Sequence, residues 1–277
     1  MLCALCQTQE CKEDSHIVPA FAYRWLKRRS LTGYIRGSRE PNLRMTDGPK
    51  PRLLCPACED MFSVWEDRFA KEVFYPVHRD GITDLKFGYD NWLSKFCVSL
   101  SWRVLKHAID EHPGLEFPHG HSPLLQPTLE VWRDYVLGRR PEISYHRQHL
   151  VILGHDLSLP AFVDPAELSL YFDRGIDHNT VHSATDAYVI TKLCRILIAG
   201  TIFTKKPSDW QHTQVHIAGG KYGSGTFQVA GCVFTFFQTA IQETVQSRTR
   251  ISPQQSKKIA DAVYRKAGVP CPKRPPS

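Results

Sequence analysis

The chain has 277 residues, of which 42% are hydrophobic, and it carries a formal net charge of +7 with a pI near 8.9. This length accommodates one large domain or two ordinary domains with a substantial core. The basic charge is compatible with a polyanionic partner without requiring one. The longest apolar runs are interrupted by Lys192 and Arg195 or by Gly231 and Gln238, so we expect no membrane-spanning segment.

The cysteine content and the first residues bear on the cellular compartment. The chain has nine cysteines, an odd number, and Met1-Leu2-Cys3 is followed by polar residues rather than by a signal peptide. In a protein that is not exported, thiols stay reduced and metal binding is favoured over disulfides. We therefore expect a soluble cytoplasmic protein.

Residues 1–76 are predicted to form a zinc-binding module. A helix is predicted over Phe21–Arg29, where the large apolar side chains share one face. The basic stretch Leu31–Pro51 contains several prolines and glycines and is predicted to be a loop. A second helix is predicted over Cys58–Phe74, because its apolar residues fall mostly on one stripe.

Residues 77–268 are predicted to form an α+β domain of unknown role, and 269–277 a disordered basic tail. His112–Pro127, rich in proline and histidine, is predicted to be a surface loop. Ser252 and Pro253 are suited to the N-cap and first position of a helix. Helices are predicted at Asp90–Glu111, Leu129–Leu137 and Gln254–Lys266, strands at Leu150–Leu153 and Tyr188–Phe203, and a strand leading into a helix at Phe234–Arg248.

Two Cys-x-x-Cys pairs are the strongest functional signal in the chain. They are Cys3 with Cys6 and Cys55 with Cys58. Four thiolates in two such pairs can hold one zinc ion in a tetrahedral site. The alternative is four unrelated buried thiols, since free cysteine often acts as a small apolar residue. The repeated spacing favours a structural zinc site that ties the two segments together.

Two further residues of this module are candidates for catalysis. His16 has a side chain suited to general base catalysis near neutral pH, but a purely structural histidine is an equal alternative. Glu59 follows the second cysteine pair, where a carboxylate can bind a magnesium ion or can simply favour the first turn of a helix. Glu66 and Glu72 are predicted to be solvated helix positions.

Three motifs follow one another in this module. They are the first Cys-x-x-Cys pair, the run SHIVP at residues 15–19 and the run LLCPACE at residues 53–59. In this order they resemble the HNH endonuclease superfamily, and more narrowly a bacterial HNH-like group with SHIIP and LLCxxCE motifs. The resemblance covers residues 1–75. It implies an α+β protein in which a zinc-stapled ββα-metal module is followed by a larger mixed α+β region.

The resemblance also implies a chemistry. In that superfamily a four-cysteine zinc is structural, a histidine activates water, and a divalent ion stabilises the phosphate under attack. It therefore implies that His16 is the general base and that Glu59 is a ligand of a catalytic Mg²⁺ or Mn²⁺ ion. The implied activity is hydrolysis of DNA phosphodiester bonds, in bacterial nucleic-acid processing or defence.

The loop between the cysteine pairs carries the residues that we expect to contact phosphate. These are Arg36, Arg39, Arg44, Lys50 and Arg52. Arg and Lys contacts of this kind position a nucleic-acid backbone without reading its sequence. DNA is therefore the expected partner, and the C-terminal region is expected to choose the target or to bind a protein partner.

The motifs depart from the family pattern at three places. Ser15 stands where an acidic residue or a histidine normally precedes the base, and Asp14 is one position further away. Lys50 is the residue nearest to the position of an expected asparagine, and Glu59 stands where the family has a metal-binding histidine or an asparagine. The alternative function is therefore a non-catalytic, zinc-stabilised module that binds nucleic acid or another protein.

Overall fold

A computed structural model describes residues 1–11, 14–82, 84–114, 116–154, 165–223 and 226–268 of the protein. Within these residues helices and strands are mixed along the chain, which confirms the expected α+β class. None of the helices in these segments is both long and apolar enough to cross a lipid bilayer. The predicted tail, 269–277, lies outside the described residues.

The N-terminal part of the chain is helical apart from its loops. Helix α1 is Ala20–Arg29 and α2 is Pro56–Phe69, which confirms the two helices predicted there. Helix α2 runs without a break into a π-helical turn, Ala70–Phe74, and then into α3, Tyr75–Arg79. Pro56 suits the first turn of α2, because backbone N–H groups in that turn have no partner within the helix and proline has no N–H.

The middle of the chain is built around one long helix. A short strand β1, Phe87–Tyr89, precedes α4, Asn91–Glu111, whose N-cap Asp90 accepts a hydrogen bond from the backbone of Trp92. The segment predicted to be a surface loop contains two 3₁₀ turns and the start of α5, Leu125–Val136. Helix α5 therefore begins four residues earlier than predicted.

A five-stranded antiparallel sheet follows. Its strands lie in the order β3-β4-β5-β2-β6, and a separate two-stranded sheet joins β1 to β7. The strands and the helix among them are β2 Gln148–Ile152, α6 Pro165–Arg174, β3 Ile176–His182, β4 Asp186–Leu193, β5 Ile196–Thr204, β6 Gln214–Val215 and β7 Gly220–Tyr222.

Two helices end the described chain. Helix α7 is Gly231–Thr249 and α8 is Pro253–Ala267. The side chain of Ser252 caps α8 by accepting a hydrogen bond from the backbone of Gln255, as the sequence predicts. Gly268 ends α8 with a φ of 68°, a left-handed conformation that glycine adopts without strain.

Both faces of the large sheet are covered by helices. Along β5, Ile196 and Ile198 belong to the core on the α4 side, whereas Leu197 and Ala199 belong to the core on the side of α6 and α7. This alternation follows from the two-residue period of a strand. Helix α4 crosses the sheet closely at Gly200, where an added Cβ would lie 2.6 Å from the Oγ atom of Ser101.

The N-terminal helices share a core with the sheet. The rings of Phe69 and Phe96 stack with centroids 4.0 Å apart, and one cluster of buried side chains extends from Cys3 to Tyr222. The loop after α1 also reaches the C-terminal helices, because the amide of Asn42 donates to the carbonyl of Arg250. This contact ties the middle of the basic loop to the end of α7.

Two local predictions are wrong. The single strand predicted over Tyr188–Phe203 is the hairpin of β4 and β5, turned at Cys194 with a φ of 54°. The strand predicted at the start of Phe234–Arg248 is part of α7. The ββα arrangement expected of residues 1–76 is not confirmed, because strand pairing in the described residues before α2 is limited to isolated bridges and to hydrogen bonds between extended segments.

Candidate metal centre and histidine site

The two cysteine pairs converge although Cys6 and Cys55 are 49 positions apart in the sequence. The ligand atoms of all four cysteines lie within 4.8 Å of one another, and the Sγ atoms of Cys6 and Cys55 are 3.7 Å apart. A zinc ion with four sulfur ligands at about 2.3 Å needs Sγ–Sγ separations of about 3.8 Å. The expected convergence is confirmed, and the cluster is compatible with a structural metal such as zinc.

Backbone hydrogen bonds shape each cysteine pair into a tight turn. In the first pair the amide of Gln7, whose φ is 61°, donates to the carbonyl of Cys3 at 3.0 Å. In the second, the amides of Cys58 and Glu59 both donate to the carbonyl of Cys55 at 3.0 Å. The second pair thus forms the first turn of α2, which fixes two sulfur atoms on one rigid element.

The thiols differ in how easily they ionise. Burial raises the pKa of Cys6, but hydrogen bonds from the side chain and backbone of Thr8 and from the backbone of Gln9 outweigh it and bring the pKa to about 6. Burial, followed by the hydrogen bond with Cys55, raises the pKa of Cys58. A bound zinc ion would favour the thiolate form of all four cysteines, because its positive charge compensates the negative charge of the thiolates.

His16 lies on an extended segment beside the residues that lead to the second cysteine pair. The amide of Ser15 donates to the carbonyl of Pro51 at 2.8 Å, and the amide of Ile17 to that of Pro49 at 3.3 Å. The two prolines cannot donate in return, so the pairing is one-sided and no regular strand forms. Because side chains alternate along an extended chain, buried Ser15 and Ile17 flank a His16 that faces the other side.

The side chain of His16 is partly exposed and bonded to a carboxylate. Its Nε2 atom lies 2.9 Å from Oδ2 of Asp47, and the His16 and Asp47 side chains are 26% and 29% exposed. The ammonium of Lys50 also contacts Oδ2 of Asp47, at 2.6 Å. Burial alone would raise the pKa of Asp47, but hydrogen bonds from Lys50, His16 and the amide of Gly48 hold it below its usual range.

Ser15 occupies the place of the acidic residue or histidine expected before the base. It is 1% exposed, and its Oγ accepts a hydrogen bond of 3.0 Å from the amide of Leu54. The neighbouring amide of Ala4 donates to the carbonyl of Leu53 at 2.9 Å. Ser15 therefore joins the His16 segment to the cysteine pairs, which is a structural role.

A buried arginine fixes the backbone at His16. Arg103 on α4 is 1% exposed, and its Nη1 donates to the carbonyl of His16 at 3.0 Å. Its Nη2 lies 2.7 Å from Oε1 of Glu66, and its guanidinium lies over the ring of Phe62. The prediction that Glu66 is a solvated position is wrong, because its carboxylate neutralises this buried charge.

Glu59 lies in the first turn of α2, where a negative charge is favoured. Its Oε1 atom is buried and has no hydrogen-bond partner in the described part of the chain. Such an oxygen is destabilising unless a cation or a water molecule contacts it. His16 and Glu59 do not belong to a converging group of three or more His, Cys, Asp or Glu ligands among the described residues.

Two of the five basic residues expected to contact phosphate lie along the His16 segment. Lys50 contacts Asp47, and Nε of Arg52 lies 3.9 Å from Oδ1 of Asp14. Both basic side chains are exposed, and their ion pairs are weak enough to be exchanged for a phosphate. They flank the pairing of the 15–17 and 49–51 segments.

The other three basic residues are directed elsewhere. Arg36 donates to the side chain of Gln255 at 3.2 Å and thus contacts α8. The guanidinium of Arg44 lies over the ring of Tyr34, 5.1 Å from its centroid. Arg39 lines a separate cavity beside β3 and α7. The structure therefore does not bring all five basic residues to one surface.

The sequence reasoning missed Asp47 and Arg103. Asp47 precedes Gly48, and an Asp-Gly pair indicates a turn but gives no indication of a partner 31 residues away. Arg103 lies in a mainly apolar helix, and no local sequence pattern indicates that it is buried and paired. Comparison with protein-family models, with curated proteins and with solved structures found no match to this chain.

Proposed function

We propose that the chain is an HNH-like endonuclease that hydrolyses phosphodiester bonds of DNA with His16 as the general base. The proposal rests on one observation: a partly exposed histidine, bonded to Asp47, lies in the same small module as a four-cysteine cluster with zinc geometry. A rigid scaffold that holds an oriented imidazole at an open surface is what general base catalysis requires.

The pairing with Asp47 defines which nitrogen of His16 acts. A carboxylate can only accept a hydrogen bond, so Nε2 carries the proton and Nδ1 is the basic nitrogen. Nδ1 would take a proton from the attacking water, and Asp47 would stabilise the imidazolium that forms. Lys50, bonded to the same carboxylate, lies where it can contact a phosphate oxygen of the substrate.

The proposed activity depends on a divalent ion, Mg²⁺ or Mn²⁺. Protein sites for Mg²⁺ often supply only one or two carboxylates, with the substrate phosphate and water completing the coordination. Glu59 fits such a role, because its buried Oε1 atom has no hydrogen-bond partner in the described chain. When bound, the ion would supply charge stabilisation for the phosphate under attack.

The first test is cleavage of supercoiled plasmid by the full chain. Incubation with Mg²⁺ or Mn²⁺ should give nicked and then linear DNA, and no product should form when the ion is omitted. The zinc content is measured in both reactions, so that loss of the structural metal is not mistaken for loss of the catalytic ion. If no divalent ion supports cleavage while the protein still binds the plasmid, the non-catalytic module becomes the better assignment.

A further inference from the structure

A cavity of about 420 Å³ lies at the far end of α1 from His16. It is open to solvent and is lined by the end of α1 and the loop after it, by α3, by the end of α6 and by the turn between β4 and β5. Helix α1 has ten residues, a length of about 15 Å at 1.5 Å per residue. The cavity is therefore a different site from the histidine site at the start of that helix.

The charged side chains around the cavity leave an excess of positive charge. Its walls include four arginines and one aspartate, a surplus of three positive charges. His78 adds no positive charge at neutral pH, because burial lowers its pKa to about 4. The charged lining residues are Arg29, Arg36, Arg174, Arg195 and Asp173.

Three of these guanidinium groups are held in place by the fold. The guanidinium of Arg29 lies 4.2 Å from the centroid of the Trp25 ring. Arg36 donates to the carbonyl of Pro41 at 3.0 Å, and Arg195 to that of Leu153 at 3.1 Å. Guanidinium groups that are already positioned lose less conformational entropy when they bind an anion.

The helix dipole explains the positions of only two of the four arginines around the cavity. Arg29 and Arg174 lie in the last turns of α1 and α6, where basic residues are favoured by the helix dipole. Arg36 lies in the loop after α1, and Arg195 lies in the β-hairpin turn. Burial, followed by the charge of Arg44, lowers the pKa of Arg36.

The remaining wall of the cavity is apolar and partly aromatic. Trp25, Leu26, Ile35 and Val77 contribute apolar surface, and Tyr34 is 38% exposed although the guanidinium of Arg44 lies over its ring. A flat ring can stack on such a surface while a negatively charged group reaches the arginines. The cavity volume also falls within the range of about 300–1,000 Å³ that is typical of small-molecule sites.

We propose that this cavity binds a small phosphorylated ligand with a flat ring. The simplest ligand of this class is a nucleoside monophosphate. Arg29 and Arg174 bind the phosphate, and Tyr34 and Ile35 contact the ring. The site is independent of the proposed nuclease activity, because none of these residues belongs to the histidine site.

The test is isothermal titration calorimetry of the full chain with AMP and with GMP. Adenosine and inorganic phosphate serve as half-ligands, and each should bind at least about tenfold more weakly than AMP because it lacks one of the two contacts. Arg29→Gln and Arg174→Gln should each weaken AMP binding by about tenfold, since a charged hydrogen bond is lost. The matched control is Arg28→Gln, an exposed arginine of α1 outside the cavity, which should bind AMP normally.

Several results would overturn this assignment. They are the absence of binding by either nucleotide, equal binding by the Arg28, Arg29 and Arg174 variants, and phosphate binding as tight as AMP binding. If duplex DNA displaced AMP from the wild-type chain but not from Arg174→Gln, the arginines would instead be part of a DNA-binding surface. Zinc content and thermal unfolding establish that each variant is folded. Because Arg29 and Arg174 are changed in different variants, failure of one variant to fold still leaves the other as a test of the site.

Discussion

Arg103 donates a hydrogen bond of 3.0 Å to the backbone carbonyl of His16, although the two residues are 87 positions apart. The same guanidinium pairs with Glu66 of α2 and is almost completely buried. One side chain thus joins the His16 segment to α2 and α4. The position of His16 therefore depends on the core of the protein and not only on the loop that carries it.

Arg103→Met should be strongly destabilising. Removing one partner of a buried pair leaves the other charge uncompensated, at a cost of about 3 kcal/mol or more. The control is Arg68→Met, because Arg68 is 41% exposed and pairs with Glu72 on the surface; it should lose less than about 1 kcal/mol. Chemical unfolding measures both, and similar losses in the two variants would show that the Arg103 pair is not structurally important.

Cys55→Ser should lose the metal. The purified chain is expected to carry about one zinc ion, since the four thiols form one site. The variant should release it and unfold its N-terminal module, because metal-binding energy in such sites is folding energy. Cys11→Ser is the matched control: Cys11 is 8% exposed in the same region but is not one of the four converging ligands. Elemental analysis that finds no zinc in the wild type would refute the site.

Stability should fall as the pH drops below about 6.5, in part because of His149. Burial, and then the charge of Arg147, lowers the pKa of His149 to about 3 in the folded state. Between about pH 6.5 and pH 3 the imidazole of His149 is therefore protonated in the unfolded state but neutral in the folded state. The free energy of unfolding falls by up to about 1.4 kcal/mol for each pH unit in this range.

His149→Gln should flatten this dependence, and His112→Gln, at an exposed position, should keep it. Unfolding free energies at pH 7, 6 and 5 provide the measurement. A wild-type stability that is constant over this range would contradict the burial of a neutral His149.

Asp47→Asn should reduce cleavage by at least about tenfold without loss of zinc. The amide can still bond to His16, but it does not stabilise the imidazolium and can select the wrong tautomer. Asp14→Asn, on an exposed residue of the same segment, is the control and should leave the rate unchanged. Single-turnover rates of plasmid nicking distinguish the two variants. Equal rates for wild type and Asp47→Asn would mean that His16 acts without its carboxylate.

Helices with a clear apolar stripe could be predicted closely from the sequence. The helix predicted over Asp90–Glu111 is α4, because its apolar spacing and its N-cap aspartate are local signals. The β4–β5 hairpin could not be predicted in this way. Its turn contains Cys194 in a left-handed conformation and no glycine or proline, and buried Lys192 bonds to the carbonyls that end α6.

The site was predictable only where its residues form motifs. The four cysteines have a recognisable spacing, and they converge as expected. Asp47 and Arg103 reach His16 from 31 and 87 positions away, and no local pattern encodes such pairs. The basic loop was predicted as one phosphate surface, yet contacts with α8 and with Tyr34 direct Arg36 and Arg44 elsewhere.

The most direct measurement is the nicking rate of His16→Ala against wild type, with Mg²⁺ or Mn²⁺ and with zinc content and DNA affinity measured in parallel. Loss of a general base typically lowers a rate by about 10²–10⁴. We expect a loss of that size, with one zinc ion per chain and an unchanged affinity for DNA. Cleavage that continues at the wild-type rate in His16→Ala would contradict the proposed role of this histidine.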